Sequence, residues 1–176
     1  MSRLPLAEPE ALSTPLRTLH DSAAETDWST RHVARVFGNH PELLEEYLAF
    51  YYPWHTGDGR GALEPRLKEL VRLRIATLNG CRTCKAARLE PSITEEEAMQ
   101  RVDAPGEEFS ERERAAIVFA EKMATDHFSV DDDTIRRLRR LFTEAEVLEL
   151  MMMSAQYVGF GRMLAILQLE EVSCPI

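Results

Sequence analysis

The chain has 176 residues, 44% of them hydrophobic, and its 21 Lys and Arg against 30 Asp and Glu give a formal net charge of −9. A chain of this length can bury a substantial apolar core as one domain without disulfides or a structural metal. Its three cysteines cannot all pair within the chain, which excludes a complete disulfide framework and is typical of cytosolic proteins. The acidic balance argues against nucleic-acid binding, because phosphate recognition depends on a basic face.

Neither the N-terminal segment nor the apolar run near the C-terminus has the features of a membrane-directing segment. The first eight residues lack the apolar segment of a secretory signal. The longest uncharged run near the C-terminus, from Leu150 to Gly161, has 12 residues, whereas a membrane-spanning helix needs about 20. We therefore predict a cytoplasmic protein with no membrane partner.

Prolines and capping residues predict helices in chain order and no convincing strand. Helices are expected from residue 14, over 30–37 and over 41–52, two of them with Pro at a favourable first position. A loop is predicted over 53–61; because no strand precedes its alternating glycines, it is not expected to bind phosphate. Three capping boxes mark later helix starts, namely Thr94 with Glu97, Ser110 with Glu113, and Thr143 with Glu146. The pattern predicts an all-α fold in one domain over residues 1–176.

Two predicted helices, 63–79 and 147–169, are apolar on most sides. A helix that is apolar all round must be buried all round. Since one domain of this size rarely encloses such long helices, we expect part of this surface to pack against another copy of the chain.

The most informative segment carries Cys81 and Cys84 in a C-x-x-C arrangement. Asn79-Gly80 is expected to end one helix, and the run after Cys84 to begin another. At a helix N-terminus, unpaired N–H groups and nearby cations favour a thiolate. Such a thiolate attacks peroxides and disulfides, and a second thiol three residues away can close the disulfide.

Other uses of two cysteines remain open at this point. Zinc needs about four ligands, and the five histidines are scattered along the chain: His20, His32, His40, His55 and His127. A thioredoxin-like site would need a strand before the motif. Two inert buried thiols are also compatible with the pattern.

Glu69 lies in the otherwise apolar helix that precedes the cysteines. A carboxylate on a buried helix must find a partner or keep its proton. It can relay protons to a thiol, or form a buried ion pair with Arg72, Arg74 or a distant basic residue.

Glu69 lies in the run Arg66-Leu-x-Glu-Leu and is followed by the spacing x11-Cys81-x-x-Cys84. This pattern resembles the signature of the carboxymuconolactone decarboxylase and alkylhydroperoxidase AhpD-like family. The resemblance is strong over 63–88, looser to 169, and does not clearly cover the first 40 residues. It implies an all-helical bundle with a core at 63–169, obligate homotrimers or hexamers, and thiol peroxidase chemistry without metal or other cofactor.

Carried over to this sequence, the resemblance implies that Cys84 is the peroxidatic thiol and Cys81 the resolving thiol. An external dithiol would reduce their disulfide, and Glu69 would relay protons. The family often has His where this chain has Thr83 and Arg88. Arginine cannot relay protons because it stays charged, but Arg88 can stabilise a thiolate and pair with Glu69.

The missing imidazole directs attention to other residues. His55 or His127 can supply it from another helix, while Tyr157 and Arg162 on the late helix are candidates for lining the pocket. Cys174, beside the C-terminus, is assigned no chemistry.

Three functions follow from these observations. The leading hypothesis is a thiol-dependent peroxidase or disulfide oxidoreductase that reduces a hydroperoxide with an unknown dithiol donor. The alternatives are a lyase of the decarboxylase branch, against which the C-x-x-C counts, and a non-catalytic oligomeric protein that binds a small molecule.

Overall fold

A computed structural model describes residues 2–25, 27–56, 60–99, 101–103 and 105–169. Over these ranges the chain forms nine α-helices, three short 3-10 segments and no strand, which confirms the predicted all-α fold. The helices are α1 (Thr14–Ser22), α2 (Trp28–Phe37), α3 (Pro41–His55), α4 (Pro65–Leu78), α5 (Arg82–Ala86), α6 (Glu95–Met99), α7 (Glu111–Thr125), α8 (Asp132–Leu141) and α9 (Glu144–Leu167).

Helix α4 is the centre of the fold. Residues 67–73 are all buried, including three charged side chains, and α7 and α9 pack along α4. One side of α4 shares a core with α3, α7, α8 and α9. Another side, through Leu70 and Leu73, packs on α6 and α7. A separate core joins α1, α2 and the first half of α3 to the end of α9, and it includes Cys81.

The predicted helix starts are confirmed. The Ser110 and Thr143 capping boxes open α7 and α9 with both reciprocal hydrogen bonds, and Thr94 makes the same exchange with Glu97 before α6. Each box pairs N–H groups that a helix start leaves without an internal partner. At its other end α4 stops at Asn79, and Gly80 follows with a positive φ of 62°.

The predicted loop over 53–61 is wrong in its first part, because α3 continues through Pro53 to His55. Proline in a helix interior removes one backbone hydrogen bond, and tertiary contacts of the last turn compensate for it. His55 is buried between α4 and α9, and the Lys68 ammonium donates to the Trp54 carbonyl. Gly57 and Gly59 lie outside the described residues.

The two over-apolar helices differ in how they are covered. The hydrophobic side chains of the first one are buried by this chain itself, whereas α9 leaves Leu148, Met152 and Ile166 more than half exposed. α9 is also long and apolar enough to meet the length and composition criteria for a membrane span, a test that core helices of soluble proteins also pass.

Candidate active site

Cys81 and Cys84 are joined in a disulfide at the start of α5, with their Cα atoms 5.3 Å apart. Cys81 occupies the N-cap position, as the sequence predicted for the motif at a helix start. The two sulfurs differ in environment: Cys81 is 1% exposed and packs in the core, whereas Cys84 is half-buried. The cysteines are therefore not equivalent towards a small molecule.

Cys84 lines a cavity of about 110 Å³ beneath α1, α2 and α3. Its walls are mainly apolar and aromatic. They are formed by Leu19, Ser29, Thr30, Val33, Leu44, Tyr47, Leu48, Tyr51, Tyr52, Arg72, Ala76, Thr83, Ala87, Leu89, Tyr157, Phe160, Gly161 and Leu164. Such a cavity, with few polar groups, suits a small ligand without a formal charge.

α9 approaches the cysteine pair closely at Gly161. A Cβ atom there would lie 2.7 Å from the Asn79 amide nitrogen and 3.6 Å from the Cys84 sulfur. The same amide donates to the carbonyls of Tyr157 and Val158 at 3.2 Å. Gly161 and Asn79 thus fix α9 against the end of α4 and the disulfide.

Glu69 and Arg72 form a buried ion pair one helical turn apart on α4. Two guanidinium nitrogens of Arg72, Nε and Nη2, each donate to one Glu69 carboxylate oxygen at 2.6 Å. The Glu69 side chain is 0% exposed and that of Arg72 6%. This bidentate geometry fits the planar guanidinium better than any pairing with lysine.

The pair also holds the segment that carries Cys84. Arg72 donates to the carbonyl oxygens of Cys84 and Ala87, and the Leu89 backbone N–H donates to Glu69 at 3.2 Å. Because α5 has only five residues, few of its backbone groups are satisfied within the helix. The buried ion pair supplies partners that the short helix lacks.

His55 joins Glu69 to Tyr157. Its Nδ1 atom lies 2.8 Å from the Tyr157 hydroxyl, and its Nε2 atom lies 3.1 Å from Glu69 Oε2, obliquely rather than along a straight hydrogen bond. With Nε2 facing a carboxylate, the imidazole carries its proton there, and the Tyr157 hydroxyl donates to Nδ1. Tyr51 stacks on the imidazole at 5.1 Å. Tyr157 lines the cavity, so the row connects the cavity to Glu69.

Burial and neighbouring charges set the protonation states of this row. Burial alone would raise the pKa of Glu69, but hydrogen bonds and charge from Arg72 outweigh it and lower the pKa to about 2. Burial lowers the pKa of His55 below its ordinary 6.5, against the opposing effect of Glu69. Burial also raises the pKa of Tyr157 well above 10. At neutral pH the row therefore holds an ionised carboxylate, a neutral imidazole and a neutral phenol.

Arg88 does not occupy the place that the sequence suggested. Its guanidinium binds Glu95 at 2.7 and 3.0 Å and donates to the carbonyls of Lys85 and Ala87. The bidentate guanidinium partner of Glu69 is Arg72, which lies on the same buried helix at i,i+3 spacing. Of the partners that the sequence left open for Glu69, the structure therefore has Arg72 and not Arg88.

The structure separates the remaining candidates. His55 and Tyr157 meet beside the cavity, but His127 is exposed in a 3-10 segment with its ring on Phe128. Arg162 is exposed and does not line the cavity; it donates to the Asn79 side chain and the Ala124 carbonyl. Cys174 lies outside the described residues. Among the described residues, no group of three His, Cys, Asp or Glu side chains is arranged to hold a metal ion.

Comparison with protein families identifies the segment that carries most of this geometry. Residues 41–122 match the model of the carboxymuconolactone decarboxylase family. The matched range contains α3, α4 and α5, and with them His55, Glu69 and both cysteines. The predicted resemblance to this family is therefore confirmed over residues 41–122.

A solved structure shows the same fold over almost the whole chain. The crystal structure of "alkylhydroperoxidase AhpD core: uncharacterized peroxidase-related protein" from Ralstonia eutropha JMP134 superimposes with a TM-score of 0.71 at 19% identity. The alignment covers 98% of this chain and 93% of that one. Comparison with curated proteins finds no match.

The sequence did not reveal every residue that shapes this candidate site. Arg72 was a possible partner for Glu69 by spacing, but its contacts with the Cys84 and Ala87 carbonyls were not foreseen. Asn79 was noted only as part of a helix end, and Gly161 only as the last residue of an uncharged run. Their closeness to the sulfurs depends on the packing of α9 on α4, which no local pattern specifies.

The Glu69–Arg72 pair predicts an acid-sensitive fold. Because the pKa of Glu69 falls from 4.5 to about 2 on folding, its contribution to stability is complete above about pH 4.5 and is lost as the pH falls towards 2. Glu69→Gln leaves Arg72 buried without a counter-ion and should lower the free energy of unfolding by about 3 to 5 kcal/mol at pH 7. Urea titrations at pH 7 and pH 3 measure both effects.

Glu95→Gln is the matched control, because it removes the carboxylate of an ion pair that is mostly exposed. It should change the free energy of unfolding by at most about 1 kcal/mol. Equal losses in the two variants would contradict the assigned importance of the buried pair.

Proposed function

We propose that the chain is a thiol-dependent peroxidase that reduces a hydroperoxide through Cys84 and Cys81. The observation that carries the proposal is the placement of one sulfur of a C-x-x-C disulfide in the wall of an apolar cavity, with the other sulfur buried behind it. A hydroperoxide in the cavity meets Cys84 and not Cys81. The chain acts as one domain, because α1 and α2 share a core with Cys81 and α9.

The two thiols take different roles in the reaction. The Cys84 thiolate attacks the distal oxygen of the hydroperoxide, the O–O bond breaks, and the leaving alkoxide takes a proton to become an alcohol. Cys84 is then a sulfenic acid. Cys81 attacks the Cys84 sulfur, the S–S bond forms and water leaves. An external dithiol reduces the disulfide by thiol exchange and is itself oxidised.

His55 is the base that the reaction requires, acting through the Tyr157 hydroxyl. Glu69 suits this role less well, because it is ionised with a pKa of about 2 and bound by Arg72 on both oxygens. A base of such low pKa accepts a thiol proton poorly at neutral pH. We therefore propose that Glu69 orients His55, and that His55 and Tyr157 relay the proton.

Arg72 supplies the positive charge that the sequence had assigned to Arg88. It lines the cavity together with Cys84, and its guanidinium binds the Cys84 carbonyl. A nearby cation lowers the pKa of a thiol. Arg88 instead secures the segment after α5 through Glu95.

The cavity supports a neutral substrate. A lactone acid, the substrate class of the lyase alternative, brings a carboxylate that needs a free cation. Among the described lining residues Arg72 is the one cation, and it already binds Glu69. The cost of burying an unpaired carboxylate in such surroundings is several kcal/mol. These observations support the peroxidase over the lyase.

We expect a cytoplasmic protein, and the outer face of α9 supports its assembly into a homo-oligomer. Leu148, Met152 and Ile166 are exposed there at 67%, 54% and 61%, and Ala155 and Gly159 lie between them on the same face. A Cβ atom on Gly159 would meet nothing within 4 Å, so the middle of this stripe is open to close approach. A second copy covers the stripe in a trimer or hexamer.

Variants of the two cysteines should differ in activity in a peroxidase assay with cumene hydroperoxide and dithiothreitol. Cys84→Ser should reduce turnover to the uncatalysed rate, because it removes the attacking sulfur. Without dithiothreitol, which would itself reduce a sulfenic acid, Cys81→Ser should consume one equivalent of peroxide and then stop at a sulfenic acid that dimedone traps. Cys174→Ser is the control and should keep full activity. Unchanged turnover in Cys84→Ser would refute the proposal.

His55→Gln should slow peroxide reduction by about 100-fold or more, the usual contribution of a general base. In the wild type the rate should fall as the pH drops through the lowered pKa of His55, because the imidazole gains a proton and no longer acts as a base. That dependence should disappear in His55→Gln. His127→Gln is the matched control and should behave as the wild type, since His127 is exposed and away from the cavity.

Met152→Arg should disrupt the assembly without damaging the cavity, because a charge at the centre of the α9 stripe opposes burial against a second copy. Light scattering after size-exclusion chromatography should give an oligomer for the wild type and a smaller species for the variant. Glu111→Arg, an exposed change at the start of α7, controls for charge alone. A monomeric wild type would contradict the assembly.

A further inference from the structure

A second buried ion pair joins Lys68 on α4 to Glu149 on α9. The ammonium nitrogen is 2.9 Å from Glu149 Oε1, with the two side chains 1% and 6% exposed. A buried ion pair adds little to stability when compared with apolar side chains of the same size. Its presence directs attention to what its atoms hold in place.

Lys68 holds the last turn of α3. Its ammonium donates to the carbonyl of Trp54, the residue before His55. This turn is otherwise weak, because Pro53 has no N–H to donate to the preceding helical turn. A cation at a helix C-terminus also opposes the negative end of the helix dipole.

Glu149 holds the chain on its way from α3 to α4. Its carboxylate accepts from the backbone N–H groups of Ala62 and Leu63. Gly61 has a φ of 92°, and a Cβ atom there would lie 2.5 Å from the Glu149 carboxylate. The chain therefore folds closely around this side chain, so both ends of the α3–α4 connection are fixed by one ion pair.

The residues that carry the pair adjoin those that contact His55. Lys68 is the neighbour of Glu69 on α4, and Glu149 lies two helical turns before Tyr157 on α9. Their contacts thus set where α3 ends relative to the two helices that receive the imidazole.

The described charged and titratable groups that face His55 come from all three packed helices. Lys68, Glu69 and Arg72 lie on α4, Tyr51 lies on α3 and Tyr157 on α9. The positive charges of Lys68 and Arg72 lower the pKa of His55 together with burial, whereas Glu69 raises it. Lys68 therefore favours the neutral imidazole as well as holding its backbone.

We infer that Lys68 and Glu149 are positioning residues that fix His55 between Tyr157 and Glu69 and keep its imidazole neutral for proton transfer. The inference rests on the proposed peroxidase function, in which His55 is the base. Neither side chain lines the cavity, so they act through His55 and not on the substrate.

The test follows the His55 imidazole by NMR titration of the isotope-labelled full chain, with His55→Gln identifying its signals. Lys68→Gln removes the charge but keeps an N–H donor for the Trp54 carbonyl, and Lys68→Met removes both. In each variant the pKa of His55 should rise by about one pH unit, because one nearby positive charge is gone. The low-pH limb of cumene hydroperoxide reduction should move to higher pH by the same amount.

Lys68→Met and Lys68→Gln should differ in reaction rate, because Lys68→Met alone loses the contact with the Trp54 carbonyl. Lys68→Met should also slow the reaction at its pH optimum at least about tenfold relative to Lys68→Gln, because the end of α3 is then released. Lys122→Met is the matched control. Lys122 is a half-buried lysine that binds Ser129 and Thr134 away from the cavity, and its loss should move neither the titration nor the pH profile.

Where a single variant leaves Glu149 buried without a partner and does not fold, Lys68→Met/Glu149→Met removes both charges, and buried pairs often tolerate this replacement. This double variant should fold and lose at least about tenfold in rate at its pH optimum, with a changed His55 titration. A His55 titration and pH profile equal to those of the wild type, in any folded variant that lacks Lys68, would overturn the inference.

The titration separates this inference from the proposed function. A raised pKa of His55 in a protein without peroxidase activity would support the placement of His55 by Lys68 and refute the peroxidase. Peroxidase activity with an unmoved His55 titration would leave the peroxidase standing and refute the role of Lys68.

Discussion

The buried bidentate pair between Glu69 and Arg72 is the interaction on which the rest of the site depends. Its two partners lie one turn apart on the central helix α4, and together they reach the carbonyls of Cys84 and Ala87, the Leu89 N–H and the His55 imidazole. A five-residue helix such as α5 has too few internal hydrogen bonds to fix a cysteine by itself. The ion pair supplies further partners, so one local contact holds both the backbone that carries Cys84 and the imidazole of the proposed base.

This arrangement bears on two positions near the cysteines at which the chain departs from the family pattern it resembles. Thr83 and Arg88 stand where the resemblance leads one to expect histidine, and neither side chain can accept a proton from a thiol at neutral pH. An imidazole instead reaches Glu69 from the end of α3, with Tyr157 between it and the cavity. The proposed proton-transfer group therefore lies on a packed helix and not on the short helix α5, and three helices set the burial and charge of the imidazole.

Local patterns predicted the all-α fold, the three capping boxes and the C-x-x-C at a helix start, because each depends on residues within one or two turns. The same reasoning ended α3 too early at Pro53, since the contacts that keep the last turn helical come from Lys68, Glu69 and Tyr157. It also named His55 and His127 as equal candidates. Only the packing of α3 against α4 and α9 distinguishes the buried imidazole from the exposed one, and the approach of Gly161 to Cys84 is likewise a property of helix packing.

The two buried ion pairs that α4 forms also balance the charges of its side chains near the cavity. Lys68 is neutralised by Glu149 and Arg72 by Glu69, so neither pair adds net charge to an apolar interior where an isolated ion would be expensive. Because the pKa of Glu69 is about 2 and that of Tyr157 lies well above 10, these groups keep their protonation states across the neutral range. Among the groups of the Glu69–His55–Tyr157 row, His55 is the one whose ordinary pKa, 6.5, lies close to neutrality, and burial lowers it. A site built in this way concentrates its pH response on one imidazole, and the apolar cavity beside it stays free of net charge.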